Sequence, residues 1–197
     1  MGRIKSALEI ALERTDSVKS DRASIDQFEA KQRGKKLANA FLDDPGAGIE
    51  GALKQVPQEQ RKSLKQGIFE VLIAQIALPL SKDDEKRIAA AGKGLEAVLN
   101  DSRFAALYKQ LLQALSQYLD EAVQYDQAIR QQYAPKLRQK EDELSRRMGR
   151  EVRIDPFQDP EFVAFYNQNM NALKANYQAA VDQVRDEATR LFDLTGQ

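Results

Sequence analysis

Residues 104–133 read FAALYKQLLQALSQYLDEAVQYDQAIRQQY, and their spacing decides the fold. Phe104, Leu107, Tyr108, Leu111, Leu115, Tyr118, Leu119, Ala122, Tyr125, Ile129 and Tyr133 recur at the three-or-four-residue interval of one face of an α-helix. Pro135 lies inside the pattern and is expected to kink the helix or end it, because its ring removes a backbone donor and crowds the preceding turn. Leu137, Leu144 and Met148 resume the spacing as far as Gly149, which reads as a C-cap. Val152 to Ile154 read as briefly extended. Asp155-Pro156-Phe157-Gln158-Asp159-Pro160 is then a turn carrying its own start signal, with Asp159 as N-cap and Pro160 at the first helical position. The final stripe runs through Phe162, Phe165, Tyr166, Met170, Leu173, Tyr177, Val181, Val184, Ala188, Leu191 and Phe192, a helix on the order of 50 Å long at 1.5 Å per residue. Two long helices joined by a short turn pack antiparallel in coiled-coil fashion. Residues 103–197 are therefore expected to form a long antiparallel helical hairpin.

Upstream, residues 1–102 read as shorter helices. Ile4, Ala7, Leu8, Ala11 and Leu12 trace a first one over 4–15, and the polar run 16–22 interrupts it. Ser24 with Gln27 has the form of a capping box opening a second, with Ile25, Phe28, Leu37, Phe41 and Leu42. The turn DDPGAG at 43–48 follows, then a short helix with Ile49, Ala52, Leu53 and Val56. Pro57 fits the first position of a fourth helix, with Leu64, Ile68, Val71, Leu72 and Ile76, ending at Pro79. Ser81 with Asp84 opens a fifth, carrying Ile88, Ala91, Gly92, Leu95, Val98 and Leu99. Gly92 costs about 1 kcal/mol relative to Ala inside a helix, so its place on the apolar stripe predicts a close helix crossing there. The expected fold is all-α: a bundle of shorter helices over 1–102 packed on the hairpin of 103–197, as one composite domain. No repeat of fixed period appears, and no segment alternates long enough to build a sheet.

The composition closes off several chemistries. Among 197 residues there is no Cys, no His and no Trp. Without thiols there is no disulfide framework, thiolate zinc site, iron–sulfur cluster or thiol nucleophile. Without imidazole a Ser-His-Asp triad is excluded, and so is the Glu-x-x-His pattern of ferritin-like sites. Asp43-Asp44 lacks calcium-loop spacing and fits a turn. Asp83, Asp84 and Glu85 fit the start of a helix, where the macrodipole favours acids. Gly46, Gly48 and Gly51 follow no strand and precede no Gly-Lys-Ser/Thr, so no phosphate loop is supported. The expectation is a protein that is not an enzyme and holds no cofactor or metal.

The most apolar window, residues 67–80, is broken by Glu70 and Gln75 and is shorter than the roughly 20 residues a membrane span needs. The opening MGRIKSALEIALERT has no uninterrupted apolar stretch of signal-peptide type. Gly2 with Ser6 has the shape of a myristoylation pattern, but the Ile4-Ala7-Leu8 face accounts for the segment without it. A cytoplasmic protein is expected.

Charge carries the functional signal. Lys+Arg and Asp+Glu both number 30, so the formal net charge is zero, yet the charges are segregated. Residues 130–153 hold Arg130, Lys136, Arg138, Lys140, Arg146, Arg147, Arg150 and Arg153 against Glu141, Asp142, Glu143 and Glu151. The arm formed by the hairpin's far end is thus basic. One reading is a solvated arm whose charges satisfy one another. The other is a surface that meets an acidic partner, with Arg138, Lys140, Arg146, Arg147, Arg150 and Arg153 as its candidate residues. A second cluster, Lys31, Arg33, Lys35 and Lys36, reads as the charged face of an amphipathic helix.

The opening MGRIKSALEIALERT and the later GKKLANAFLDDP resemble a family of small uncharacterised helical bacterial proteins. The resemblance rests on roughly the first 45 residues, implies a bacterial cytoplasmic origin, and brings no activity or functional residue with it. The expected function is therefore a non-enzymatic interaction or scaffold protein acting through the hairpin, on a protein partner or a second copy of itself. The alternative is nucleic-acid or other polyanion binding through the basic tip. The third is a helical bundle that binds a small ligand.

Overall fold

The computed structural model describes the backbone of residues 7–46 and 48–195, and side chains at 22, 24–46 and 48–194. The Gly2 and Ser6 pattern lies outside the described residues. The elements in order are α1 (Ala7–Asp43), α2 (Ile49–Gln55), α3 (Gln58–Ile73), α4 (Lys82–Leu99), α5 (Ser102–Met148), a 3₁₀ turn (Pro156–Gln158) and α6 (Pro160–Thr195). Among the described residues there is no strand, so the fold is all-α. Among them, too, no helix is long and apolar enough to cross a membrane.

Two expectations fail at α1. Residues 16–22 do not break the helix, and Ser24 and Gln27 lie within it rather than capping a new one. The run Asp16–Arg22 is polar but contains no Gly or Pro, and polarity alone removes no backbone hydrogen bond. The fourth helix ends at Ile73, not at Pro79, where the N–H groups of Gln75 and Ile76 close tight turns onto Leu72 and Ile73 (3.1 and 3.2 Å). Pro57 stands one position before the helix, as its N-cap. The capping pattern at 81–84 is real: the Asp84 carboxylate accepts from the Leu80 and Ser81 N–H groups, both at 2.9 Å. Pro135 neither ends α5 nor divides it; it sits exposed within the continuous helix.

The chain divides into two compact units, the first comprising Met1–Ile76, Ala89–Ala105 and Ala188–Gln197 and the second Ala77–Ile88 and Ala106–Glu187. α4, α5 and α6 each contribute to both units.

In the first unit α1 packs on α3. Gly34 and Gly67 make the crossing. A Cβ on Gly34 would meet the Leu64 carbonyl oxygen, and one on Gly67 the Lys31 carbonyl oxygen. Backbone lies against backbone there, which only glycine permits. Lys31 and Lys35 then bridge to Glu70 at 2.6 and 3.0 Å, so half of the upstream basic cluster ties these helices together. Gly94 of α4 admits the side chains of Leu72, Ile49 and Phe41, the nearest 2.6 Å from where its Cβ would be. Gly92, where the sequence places a close approach, is buried as well. Leu64, Ile68, Leu72, Ile76 and Leu95 are fully buried, and the rings of Phe69 and Phe192 stack at 4.2 Å.

In the second unit the core is Tyr118, Ile129 and Tyr133 of α5 with Phe162, Met170 and Leu173 of α6. The partners run in opposite order. Tyr118 meets Tyr177 (5.2 Å between ring centroids), Tyr133 meets Phe162 (5.3 Å), and Lys140 meets Asp159. That is the order of antiparallel helices. Buried Tyr108 donates its hydroxyl hydrogen bond to the Ile88 carbonyl at 2.6 Å, tying α5 to α4 within this unit.

Candidate interaction surface

The turn between α5 and α6 is built, residue by residue, against the end of α5. Gly149 closes the helix in the left-handed region (φ 66°), its N–H donating to the Ser145 carbonyl at 2.9 Å. The Ser145 hydroxyl accepts from Val152 N–H and the Glu141 carboxylate from Ile154 N–H, both at 2.9 Å. Two α5 side chains thereby hold the returning chain. Asp155 accepts from Phe157 N–H (3.0 Å) to start the 3₁₀ turn, and Asp159 accepts from Glu161 N–H (3.1 Å) as the N-cap of α6.

Asp159 is the one buried charged residue among those described, at 6% exposure. The Lys140 ammonium donates to both its oxygens (2.8 and 2.7 Å) and to Glu161 Oε2 (2.6 Å). The Tyr133 hydroxyl donates to Asp159 Oδ2 at 3.0 Å, and Lys136 reaches Glu161 at 3.0 Å. Burial pushes the Asp159 carboxyl up, but the hydrogen bonds from Lys140, Tyr133 and Glu161 N–H outweigh it and hold the group below the ordinary range. Lys140, then Lys136, holds Glu161 down at about 2. Asp159, then Glu161, raises the Lys140 ammonium. Burial, then Asp159, raises the Tyr133 phenol.

The sign of the acid response follows. A carboxyl whose folded value is depressed stabilises the fold above its unfolded value and loses that contribution as pH falls through the folded value. For Glu161 the window runs from 4.5 down to about 2. The protection of the Glu161 and Ile154 amides against hydrogen exchange is therefore expected to hold at neutral pH and to decline through that window. A Lys140→Gln chain should lose it at higher pH. Protection that is flat across the window would contradict the clamp.

The six candidate cations are not equivalent. Lys140 is committed to the clamp, and exposed Arg153 pairs with Glu151 at 3.0 Å. Arg138, Arg146, Arg147 and Arg150 are exposed and make no ion pair among the described residues. Nearby, Leu144 and Met148 lie one helical turn apart and are 37% and 53% exposed. A cleft of about 370 Å³ runs beside them, lined by Lys140, Glu143, Leu144, Arg147, Ile154, Gln158, Asp159 and Pro160. Phe157 is 47% exposed, but its ring is used within the unit, edge-on to Phe162 and Tyr166 (both 5.3 Å) and beneath Arg130 (5.0 Å).

Sequence reasoning found the arginines but not the apolar pair among them. Leu144 and Met148 continue the helical spacing, which carries no sign of whether anything covers them. It also missed that Lys140 serves Asp159, a pairing across 19 residues that no local pattern encodes.

A protein-family model, described as a family of unknown function (DUF6657), matches residues 50–190, well over half of the chain. The match agrees with the uncharacterised family read from the N-terminus, though it covers a different stretch. No curated protein and no solved structure matches.

Proposed function

We propose that this chain, which belongs to the DUF6657 family of unknown function, is a non-enzymatic interaction protein that docks an acidic, apolar-faced segment of a partner protein on the end of α5 and the cleft beside it. The observation that carries the reading is the pairing of exposed Leu144 and Met148 with three arginines, Arg146, Arg147 and Arg150, that have no carboxylate partner. Methionine and arginine are both enriched at protein interfaces, and Leu144 adds apolar area beside them. The turn beneath them is pinned by the Asp159 clamp, so little order has to be imposed on binding. The absence of His and Cys from the sequence supports a binding role over a catalytic one. The cysteine-free composition and the N-terminal resemblance support a bacterial cytoplasmic setting.

A photo-crosslinking residue at position 148 tests the reading. A protein captured there in the native cell, rebound in purified form, and bound about tenfold more weakly by the Leu144→Asp chain is expected. A captured second copy of this chain would make the surface a self-association site. Unchanged binding by Leu144→Asp would overturn the reading.

The unpaired arginines also favour a second reading, polyanion binding. Glu143, which lines the same cleft, works against it. Phosphate-backbone binding falls steeply with salt and is indifferent to Leu144, so the Leu144→Asp variant separates the two.

A further inference from the structure

The first compact unit carries a second charged surface, unrelated to the turn. Three helix faces converge on an open groove of about 570 Å³: Lys54 with Glu50 (i,i+4) on α2, Arg61 with Lys65 (i,i+4) on α3, and Lys93 with Glu96 (i,i+3) on α4. Four cations thus oppose two carboxylates. None of the three lysines forms an ion pair among the described residues, although Glu50 and Glu96 line the same groove. Elsewhere in this unit the opposite choice is made, with Lys31 and Lys35 both closing on Glu70. Arg61 differs again. Its Nε donates to the carbonyl of buried Val56 at 3.0 Å, which fixes the side chain and leaves the terminal N–H groups of the guanidinium without a protein acceptor. A guanidinium held by one edge is pre-organised to accept an oxyanion on the other. Leu53, Ala97 and Asn100 complete the lining, with no aromatic ring on which a base could stack.

We infer that this groove binds a small ligand through a chain of two or more phosphate groups, bridged between Arg61 and the lysines. The volume is in the range of small-molecule sites. The spread of cations over three helices suits linked phosphates better than a single one. The phosphate chain could belong to inorganic polyphosphate or to a nucleoside polyphosphate, and both are tested.

Tripolyphosphate and ATP are titrated separately into the full chain by calorimetry at low salt. Both are expected to bind one site. Equal affinities would assign recognition to the phosphates alone, and tighter ATP would assign a contribution to the nucleoside. Lys65→Gln combined with Lys93→Gln should weaken both by about tenfold or more, since each removed cation takes away a charge-assisted contact. Lys174→Gln, an exposed position of the other unit that lines neither groove, should leave them within about twofold. Circular dichroism checks that the variants fold, as expected where Lys93 and Lys174 are exposed and Lys65 is half-buried. Absence of binding by either compound, or equal weakening by the Lys174→Gln chain, would overturn the inference.

Discussion

Replacing Gly67 by alanine is expected to destabilise the first unit by about 3 kcal/mol, the upper part of the range for overpacking. In an exposed helix the same change gains about 1 kcal/mol from propensity. At Gly67 the new methyl would be driven into the Lys31 carbonyl of α1, and Lys35 N lies at 3.1 Å from the same point. Backbone atoms cannot rotate away as a side chain can, so α1 and α3 must separate. Separation also pulls Lys31 and Lys35 from Glu70. Gly51→Ala provides the contrast, because a Cβ there meets nothing within 4 Å. It should stabilise by about 0.5–1 kcal/mol. Thermal unfolding followed by circular dichroism reads both, with a fall of on the order of 10 °C expected for Gly67→Ala. A Gly67→Ala chain as stable as the parent would mean that the crossing is looser than described.

Asp159→Ala should act comparably on the second unit. It removes the N-cap of α6, worth about 1 kcal/mol. It also removes the shorter of the two carboxylate acceptors of the Tyr133 hydroxyl, leaving Glu161 at 3.4 Å, a loss of about 1 kcal/mol. Asp159→Asn separates the two contributions, since asparagine caps as well as aspartate but does not pair with the Lys140 ammonium. Hydrogen exchange at Ile154 and Glu161 should rise strongly in the Ala chain and less in the Asn chain. Equal and small effects in both would show that the clamp contributes little to holding the turn.

The helices were legible because their signals are local. The stripe from Phe104 to Tyr133 needed only its own spacing, and the starts at Asp84 and Asp159 only a carboxylate next to N–H groups that lack intrahelical partners. The failures are of two physical kinds. At 16–22 the polar run was read as a break, although without Gly or Pro nothing opposes helix propagation. At the glycines the sequence shows where a Cβ is missing but not what lies opposite. Gly34 and Gly67 prove to face each other's helices, and Gly94 receives Leu72. The candidate surface divides the same way. A run of arginines is visible in one dimension. That Lys140 is occupied by Asp159, that Leu144 and Met148 stay uncovered, and that Lys54, Arg61 and Lys93 share one groove are facts of three-dimensional assembly.

The account turns on the end of α5 being a docking surface, and the chain carries a natural probe of it. The sequence contains three methionines, of which Met148 is 53% exposed at that surface and Met170 lies in the core at 8%. With methyl-labelled methionine, the partner captured at position 148 is titrated into the intact chain and the methyl resonances are followed. The Met148 signal is expected to shift or broaden while Met170 stays in place. A partner that binds while the Met148 signal remains unmoved would contradict the account.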